Sequence, residues 1–267
     1  MNRLIYILAL FCLMSCEKEI KLDFHEAESR FVVEGSMSGS GTEVRVSKTN
    51  AMDNNSTTSD VNNATVTITA ENGTQTVIPF VRNGYYRSKL AGKAGVNYQL
   101  DVAVDGHHFS STSIMQRTPK INELRMVWKK MLTERYLFAD LRLQDIPNES
   151  NWYFMHIYRN GIGYRWAVMK DDKNPNKELQ QLFTLFRDGV GDSDELRDGD
   201  ELLIVVRAVD QRAYDYLYSM QQMSSTGTNP IDNFAGGCLG YFSAHSEINL
   251  VYEFYYQNVV EDDEDEE

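Results

Sequence analysis

The stretch Thr65-Val66-Thr67-Ile68-Thr69 alternates strictly between hydroxylated and aliphatic residues. Successive side chains of a β-strand point to opposite faces, so the pattern predicts a strand that buries Val66 and Ile68 and turns the threonines away from them. Asn72-Gly73 follows closely, and such a dipeptide tolerates the positive φ angles that tight hairpin turns require. The stretch therefore predicts a β-hairpin, and its neighbours repeat the same pattern.

Short β-rich runs of this kind occupy most of residues 31–114. Asn83-Gly84 and Asp105-Gly106 supply further turn dipeptides between them, and residues 50–63, rich in Asn, Ser, Thr and Asp, predict a solvated loop. Seven short strands within about 90 residues predict a β-sandwich of the transthyretin or immunoglobulin type. The predicted strands are Phe31–Met37, Glu43–Lys48, Ala64–Ala70, Gln75–Val81, Tyr85–Lys89, Tyr98–Val104 and His108–Ile114.

Thr118-Pro119 closes this unit, because proline cannot donate a hydrogen bond within a paired strand. We therefore predict a mainly β chain of two sandwich-like domains, the first over residues 30–118 and the second over residues 119–258. Strands of the second domain are predicted at Arg135–Leu143, Trp152–Tyr158, Tyr164–Met169, Glu201–Val209 and Glu247–Tyr256, with Asn160-Gly161 as a turn.

One short helix is predicted within the second domain. Asp210 is suited to cap a helix that runs through Met223, since four apolar or aromatic residues beyond it share one face at helical spacing. Residues 177–187 fit either a short helix or an irregular strand.

The amino terminus carries the marks of a secretory signal peptide over residues 1–15. Arg3 supplies a positive charge, an apolar run extends from Leu4 to Met14, and this run is too short to span a membrane as a helix. Leu13-Met14-Ser15-Cys16 resembles the bacterial lipobox, in which the cysteine is acylated and becomes the new amino terminus. We therefore predict lipidation of Cys16 and a tether over residues 16–29, with several acyl chains holding the protein on its membrane. The alternative is an ordinary signal peptide with an incidental cysteine.

The chain is acidic, with 39 Asp and Glu against 26 Lys and Arg. Residues 261–267 are all acids, and a block of like charges repels itself, so we predict a disordered tail over residues 259–267. Nucleic-acid binders need clustered Lys and Arg, which this sequence lacks, so nucleic acid is excluded as a partner. Cys238, between apolar and glycine neighbours, is predicted to be a buried, inert thiol.

Catalytic templates are missing from the sequence. Met37 occupies the position of the serine nucleophile in Gly35-Ser36-Met37-Ser38-Gly39, and there is no zinc-protease motif, phosphate loop or dinucleotide fingerprint. His107 and His108 are adjacent, but on a strand they point to opposite faces and make poor metal co-ligands. We expect no enzymatic activity and no cofactor.

An acidic segment is the alternative metal site. Asp192, Asp194, Asp198 and Asp200 fall within nine residues, and hard cations favour oxygen ligands. The frame of a calcium loop breaks, however, because Arg197 stands where glycine must make the sharp turn. We expect a solvated loop without a metal, its acids kept apart by mutual repulsion.

Aromatic residues gather around one predicted hairpin, where Trp152, Tyr158, Tyr164 and Trp166 are the candidate binding residues. Exposed rings would stack on sugars or dock against a partner protein. The simpler interpretation is an ordinary sandwich core.

Several stretches, in order along the chain, are similar to one family. They are Cys16-Glu17-Lys18-Glu19-Ile20, Val32-Val33-Glu34-Gly35, Asn63 to Ile68, Gly84-Tyr85-Tyr86, Tyr98-Gln99-Leu100, Pro119-Lys120-Ile121, Asn151-Trp152-Tyr153 and Gly236 to Ala244. Together they resemble the Bacteroidota lipoprotein family described as domain of unknown function 4249. The chain departs from it in the hydroxylated segment Gly35 to Gly41 and in the acidic tail.

The resemblance implies an outer-membrane lipoprotein, often encoded near TonB-dependent transporters, with no established catalytic residues. The Lys and Glu residues after Cys16 also look like the Bacteroidota signal for export to the cell surface. We expect a non-enzymatic accessory or ligand-binding component of a transport or assembly complex, whose partner is an outer-membrane transporter or another envelope protein. The alternatives are a glycan-binding surface lipoprotein, which needs exposed aromatic rings, and an uncharacterised hydrolase, which needs titratable groups converging in a pocket.

Overall fold

The computed structural model describes residues 29–50, 58–144, 146–171, 178–188 and 194–261. The predicted signal peptide, Cys16, Asp192 and residues 262–267 of the acidic tail lie outside them. The chain is mainly β, with strands in several sheets and one α-helix within the described residues, so the predicted fold class is confirmed.

The elements described in the amino-terminal half are all strands. They are β1 (Phe31–Met37), β2 (Thr42–Thr49), β3 (Thr58–Asp60), β4 (Thr65–Ala70), β5 (Gln75–Ile78), β6 (Phe80–Arg82), β7 (Tyr85–Ser88), β8 (Asn97–Val104) and β9 (His107–Ile114). The remaining elements are β10 (Ile121–Met131), β11 (Glu134–Leu143), β12 (Trp152–Arg159), β13 (Ile162–Lys170), β14 (Leu179–Arg187), β15 (Glu201–Val209), helix α1 (Gln211–Thr226), β16 (Leu239–Ala244), β17 (Ser246–Glu253), a 3-10 turn (Tyr256–Asn258) and β18 (Val260–Glu261).

The first sandwich packs two sheets around one apolar core. One sheet has the order β16-β1-β2-β7-β6, with β3 paired to β2, and the other has the order β5-β4-β8-β9. Val66 and Ile68 of the alternating stretch are buried between them, as predicted, together with Val33 and Val44 from the facing sheet. Alternation along each strand thus places one face in the core and leaves the other face outside.

The second sandwich has two sheets of four strands. Their orders are β14-β11-β10-β18 and β13-β12-β15-β17. Leu137 and Leu141 of the first sheet pack in one core with Met155 and Ile204 of the second. Strand β15 lies between β12 and β17 and is buried on most of its length, which agrees with its almost continuously apolar sequence. Strand β10, which pairs along its length with β11, has no counterpart among the predicted strands.

Three of the predicted turn dipeptides have both residues at positive φ. They are Asn83-Gly84, Asp105-Gly106 and Asn160-Gly161, and each joins two antiparallel strands as a type I′ turn requires. At Asn72-Gly73 only the glycine has a positive φ, and the Gly73 amide donates to the carbonyl of Ala70 at 2.8 Å. This hairpin therefore closes with a different turn.

The predicted strand Gln75–Val81 is wrong as a single element. It is two strands, β5 and β6, which belong to different sheets of the first sandwich. Pro79 separates them. It has no backbone N–H to donate, so pairing lapses there and the chain crosses from one sheet to the other.

Strand β16 also departs from the prediction, which placed residues 119–258 together in a second domain. It pairs in parallel with β1 along its whole length, and Phe234, Cys238 and Phe242 lie in the first core. Gly240 makes this pairing possible, because its φ is 101° and a Cβ there would lie 2.0 Å from the carbonyl oxygen of Val33. A late segment of the chain therefore completes the first sheet.

Three smaller outcomes concern the remaining predictions. The ambiguous residues 177–187 form strand β14 where they are described. Helix α1 is capped by Asp210, whose Oδ1 accepts from the Ala213 amide at 2.9 Å. The helix ends at Thr226, followed by the C-cap Gly227, and not at Met223 as predicted. The predicted disorder is wrong for residues 259–261, because β18 pairs with β10 and Glu261 forms an ion pair with Arg135.

Candidate functional site

A polar cleft opens where the two sandwiches meet, and its volume is about 320 Å³. Strands β1, β2 and β7 with the β1–β2 turn form one wall, and residues around the β16–β17 junction form the other. Its lining, which we call the polar cleft, consists of Ser36, Ser38, Ser40, Gly41, Thr42, Glu43, Arg87, Ser88, Arg207, His245 and Glu247. A second cavity of about 390 Å³ shares Ser38, Ser40 and Glu247 with it and reaches Ser246 and Asn249.

Strand alternation directs the first wall into the cleft. Val33, Gly35 and Met37 of β1 face the core, so Ser36 between them faces outward. Ser36 is paired with Glu43 across β1 and β2, and Glu43 with Arg87 across β2 and β7. The Glu43 carboxylate accepts a hydrogen bond from the Arg87 guanidinium. The wall thus carries a row made of a hydroxyl, a carboxylate and a guanidinium.

The second wall is built on the cross-strand pair Arg207 and Glu247 of β15 and β17. Arg207 Nε donates to Glu247 Oε2 at 3.2 Å. His245 lies in the turn between β16 and β17 with only 3% of its surface exposed, and its Nε2 is 3.7 Å from Glu247 Oε2. Its backbone amide donates to the Met37 carbonyl at 2.9 Å, which holds the backbone of His245 at the end of β1.

The electrostatics of this wall favour a neutral imidazole beside a charged carboxylate. Burial lowers the pKa of His245 below its ordinary value. The interaction with His245 and the hydrogen bond from Arg207 outweigh burial and lower the pKa of Glu247 to about 2. At neutral pH, Glu247 is therefore ionised, and its charge is compensated by Arg207.

Ser243, His245 and Glu247 have the residue types of a hydrolytic triad, but not its accessibility. Ser243 Oγ lies 3.2 Å from His245 Nδ1. The serine is buried and is not part of the cleft lining, so a substrate in the cleft does not meet its hydroxyl. Among the residues that line the cleft, this triad therefore contributes His245 and Glu247 but not its serine.

The predicted aromatic group divides between the two faces of its sheet. Tyr164 packs against the second core, its hydroxyl donates to the Asp194 carbonyl at 2.8 Å, and burial raises its pKa to about 12. Trp152 packs with Phe154 and helix α1. The prediction that these rings belong to the sandwich core therefore holds for Tyr164. Trp152 lies on the opposite face of the sheet, where helix α1 covers it.

Tyr158 and Trp166 lie on that opposite face nearer to solvent. The Tyr158 ring stacks on His156 at 4.0 Å, and Trp166, 38% exposed, meets Phe154 edge-on at 6.0 Å. Phe154 in turn lies 5.8 Å from the Arg207 guanidinium. The partly exposed rings are thus connected to the polar cleft through one arginine.

Asp194, Asp198 and Asp200, the described members of the predicted acidic group, do not form a metal site together. Asp194 pairs with Arg165 at 3.0 Å, and Asp198 accepts from the Tyr256 amide at 2.7 Å. Asp200 is buried and accepts hydrogen bonds from Arg159 and from two further donors. Burial raises its pKa, but these hydrogen bonds prevail and hold the pKa below its ordinary value. The solvated-loop prediction is therefore wrong for Asp200, and the described residues contain no group of three side chains placed to hold a metal.

Comparison with known proteins places the chain in a family. A model described as Domain of unknown function (DUF4249) matches residues 17–249. The chain belongs to this family. No curated protein matches it. A two-domain fibronectin type III segment from chicken tenascin is similar over 85% of this chain and 100% of that segment, at 10% identity and a TM-score of 0.24.

In this DUF4249 protein, two stretches that carry the family resemblance are neighbours in space. Val32 to Gly35 lies in β1 and Leu239 to Ala244 forms β16, and the two pair beside the cleft. The matched range also includes Arg207, His245 and Glu247. No helix within the described ranges is both long and apolar enough to cross a membrane.

The cleft residues were not among the sequence-predicted candidates. The available signal was the run of hydroxyls at Ser36, Ser38 and Ser40, spaced so that all three share one side of an extended segment. The other wall comes from residues more than 160 positions later, between Arg207 and Glu247. The spacing of residues in the sequence does not indicate that these two walls lie next to each other in the fold.

Proposed function

We propose that this DUF4249 protein is a non-enzymatic outer-membrane lipoprotein that acts as an accessory, ligand-binding component of a transport or assembly complex. The observation that supports this role best is the polar cleft. Its walls come from both sandwiches, and its charged side chains are already paired as Arg87 with Glu43 and Arg207 with Glu247. Compensated charges and hydroxyls on a fixed scaffold suit recognition.

The same groups are poorly suited to proton transfer. A general acid or base works best when its pKa lies near the operating pH. Glu247, with a pKa of about 2, does not take up a proton near neutrality, and His245 is almost entirely enclosed. A binding role therefore accounts for these residues better than a hydrolytic role does.

The predicted anchor supports a position close to a membrane. Phe31, the first residue of β1, lies 15 positions after Cys16. A chain of that length, if extended, reaches about 50 Å at most. A lipid on Cys16 would thus hold the cleft within reach of the extramembrane loops of an envelope protein.

Site-specific photocrosslinking in the native cells tests the partner. A photoreactive residue at Ser40, which is exposed at the cleft rim, should crosslink to a defined outer-membrane protein. The matched control is Leu132, which is 96% exposed on the β10–β11 turn, away from the cleft. Equal products from both positions, or none from Ser40, would reject the accessory role.

The anchor has a separate test. Replacing Cys16 with serine removes the thiol that the lipobox predicts to be acylated, so Cys16→Ser should incorporate no labelled palmitate and its precursor should stay uncleaved. The matched control is Cys12→Ser, which leaves Cys16 in place and should label normally. Normal labelling of Cys16→Ser would contradict lipidation.

A further inference from the structure

We propose that the polar cleft binds a neutral, polyhydroxylated ligand, a saccharide. This inference rests on the proposed function only in taking the cleft as a binding site. It adds the chemical class of the ligand, which follows from how the charges and hydroxyls of the cleft are arranged.

The first argument comes from the charges. Each guanidinium that lines the cleft lies next to a carboxylate, Arg87 next to Glu43 and Arg207 next to Glu247. An anionic ligand would meet a carboxylate beside each arginine, and a cationic ligand would meet an arginine beside each carboxylate. A sugar hydroxyl carries no charge, and it can donate to the carboxylate while accepting from the guanidinium. Paired charges thus favour hydroxyl ligands over ions of either sign.

The second argument comes from the hydroxyl groups of the wall. Ser38 Oγ and Ser40 Oγ share a hydrogen bond of 2.8 Å, and Thr42 Oγ1 donates to the Leu90 carbonyl at 2.7 Å. Ser38 Oγ also accepts from the Ser40 amide at 3.2 Å. A hydroxyl has one hydrogen to donate and two lone pairs, so each of these groups retains at least one hydrogen-bonding position after its internal bonds are made. Together with Ser36 they offer hydrogen-bonding groups along one side of the cleft.

The third argument comes from Ser246, which borders the connected cavity beside Glu247 and Asn249. The residue is only 7% exposed, and its Oγ has no hydrogen-bond partner among the described residues. A buried hydroxyl without a hydrogen-bond partner destabilises the folded protein. Most buried hydroxyls in proteins therefore have a partner. A ligand hydroxyl in this cavity would supply the missing partner.

Ser47 provides a matched control within the same protein. It is also buried with an unpartnered Oγ, but it does not belong to either cavity of the cleft. Both unpartnered hydroxyls therefore destabilise the free protein, but only Ser246 borders the cavity proposed to hold the ligand.

The size of the cleft agrees with a small hydrophilic ligand. Its volumes of about 320 and 390 Å³ fall in the range of small-molecule sites. Sites for apolar ligands are lined mainly by hydrophobic and aromatic side chains. Here Met115 and Ala94 are the apolar side chains of the lining, and the other side chains are polar or charged. Among the described residues, this lining contains no Phe, Tyr or Trp ring, so hydrogen bonds would hold the saccharide instead of the ring stacking expected of the glycan-binding alternative.

The test measures binding to the full chain, purified in lauryldimethylamine oxide because that detergent carries no sugar. Isothermal titration calorimetry is run with maltohexaose, cellohexaose and chitohexaose, and with phosphate and citrate as anionic comparators. We expect saturable binding of at least one saccharide. Ser246→Ala should weaken saccharide binding about fivefold, because it removes a neutral hydrogen bond. Arg207→Gln should weaken it about tenfold or more, because it removes a charge-assisted hydrogen bond, which is stronger.

Thermal unfolding separates binding from folding. Both Ser246→Ala and Ser47→Ala should raise the melting temperature of the free protein, since each removes an unpartnered hydroxyl, but only Ser246→Ala should weaken saccharide binding. If Arg207→Gln fails to fold, the serine pair decides the result.

Three results would overturn the saccharide assignment. They are no saturable binding of any of the three saccharides, equal saccharide affinity in Ser246→Ala and Ser47→Ala, and saturable binding of phosphate or citrate instead. The assignment and the accessory role fail separately. Crosslinks from Ser40 without saccharide binding would leave the accessory role standing, and saccharide binding without a crosslinked partner would leave the ligand assignment standing.

Discussion

Truncating Phe242 to alanine should destabilise the first sandwich, although the residue lies in the last tenth of the chain. Its ring is fully buried, and it stands on β16, the strand that completes the β1 sheet. Gly35 lies against the ring, because a Cβ at that position would be only 2.9 Å from it. Glycine has no side chain that could move into the cavity left by the truncated ring. We therefore expect a loss of about 4–5 kcal/mol, in the upper part of the range for Phe→Ala in a core.

A loss of that size is a large share of the 5–15 kcal/mol that typically stabilises a domain. Hydrogen exchange followed by mass spectrometry would locate it. Phe242→Ala should accelerate exchange in β1, β2 and β8, whose residues share its core. The matched control is Phe254→Ala, an equally buried ring of the second core, which should accelerate exchange in β12 and β15.

The pattern of exchange carries the test. If Phe242→Ala accelerates exchange only within residues 119–261 and leaves β1 and β8 unchanged, then β16 does not stabilise the first sheet and the reasoning fails. If the two variants give the same pattern, the sandwiches unfold as one unit and their cores are not separable in stability.

Three further predictions concern charged groups. The lowered pKa of Glu247 stabilises the fold fully above the unfolded pKa near 4.5, and this stabilisation is lost progressively as the pH falls toward about 2. Glu247→Gln should therefore reduce the pH dependence of the free energy of unfolding, measured with urea, between these two values. An unchanged pH profile would argue against the pair with Arg207. Asp210 accepts from the Ala213 and Ile114 amides at 2.9 Å, so Asp210→Ala should cost about 2 kcal/mol in urea unfolding, and a cost near zero would mean that water replaces both bonds. Calcium or a chelator should shift the melting temperature by no more than about 2 °C, since a ligand must bind the native state specifically to stabilise it; a saturable rise of many degrees that Asp194→Ala abolishes would establish a calcium site.

The sequence by itself determined what depends on neighbours along the chain. Period-2 alternation identified Val66 and Ile68 as core residues, and Asn-Gly and Asp-Gly dipeptides located three type I′ turns. Asp210 was readable as a helix cap because a cap bonds within its own first turn. The lipobox ending at Cys16 is likewise a local pattern, and its lipidation stays a prediction.

The tertiary structure alone decided what depends on distant partners. The glycine-rich segment that contains β16 has no clear alternation, and only the exposed edge of β1 gives it a strand to pair with. The local sequence of Asp200 predicts a solvated acid, but Arg159, 41 residues earlier in the chain, donates a hydrogen bond to it. The polar cleft has the same origin, because Arg87 and Arg207 belong to different sandwiches. Local sequence fixes which face of a strand a residue occupies, but contact between two such faces depends on how the sheets pack.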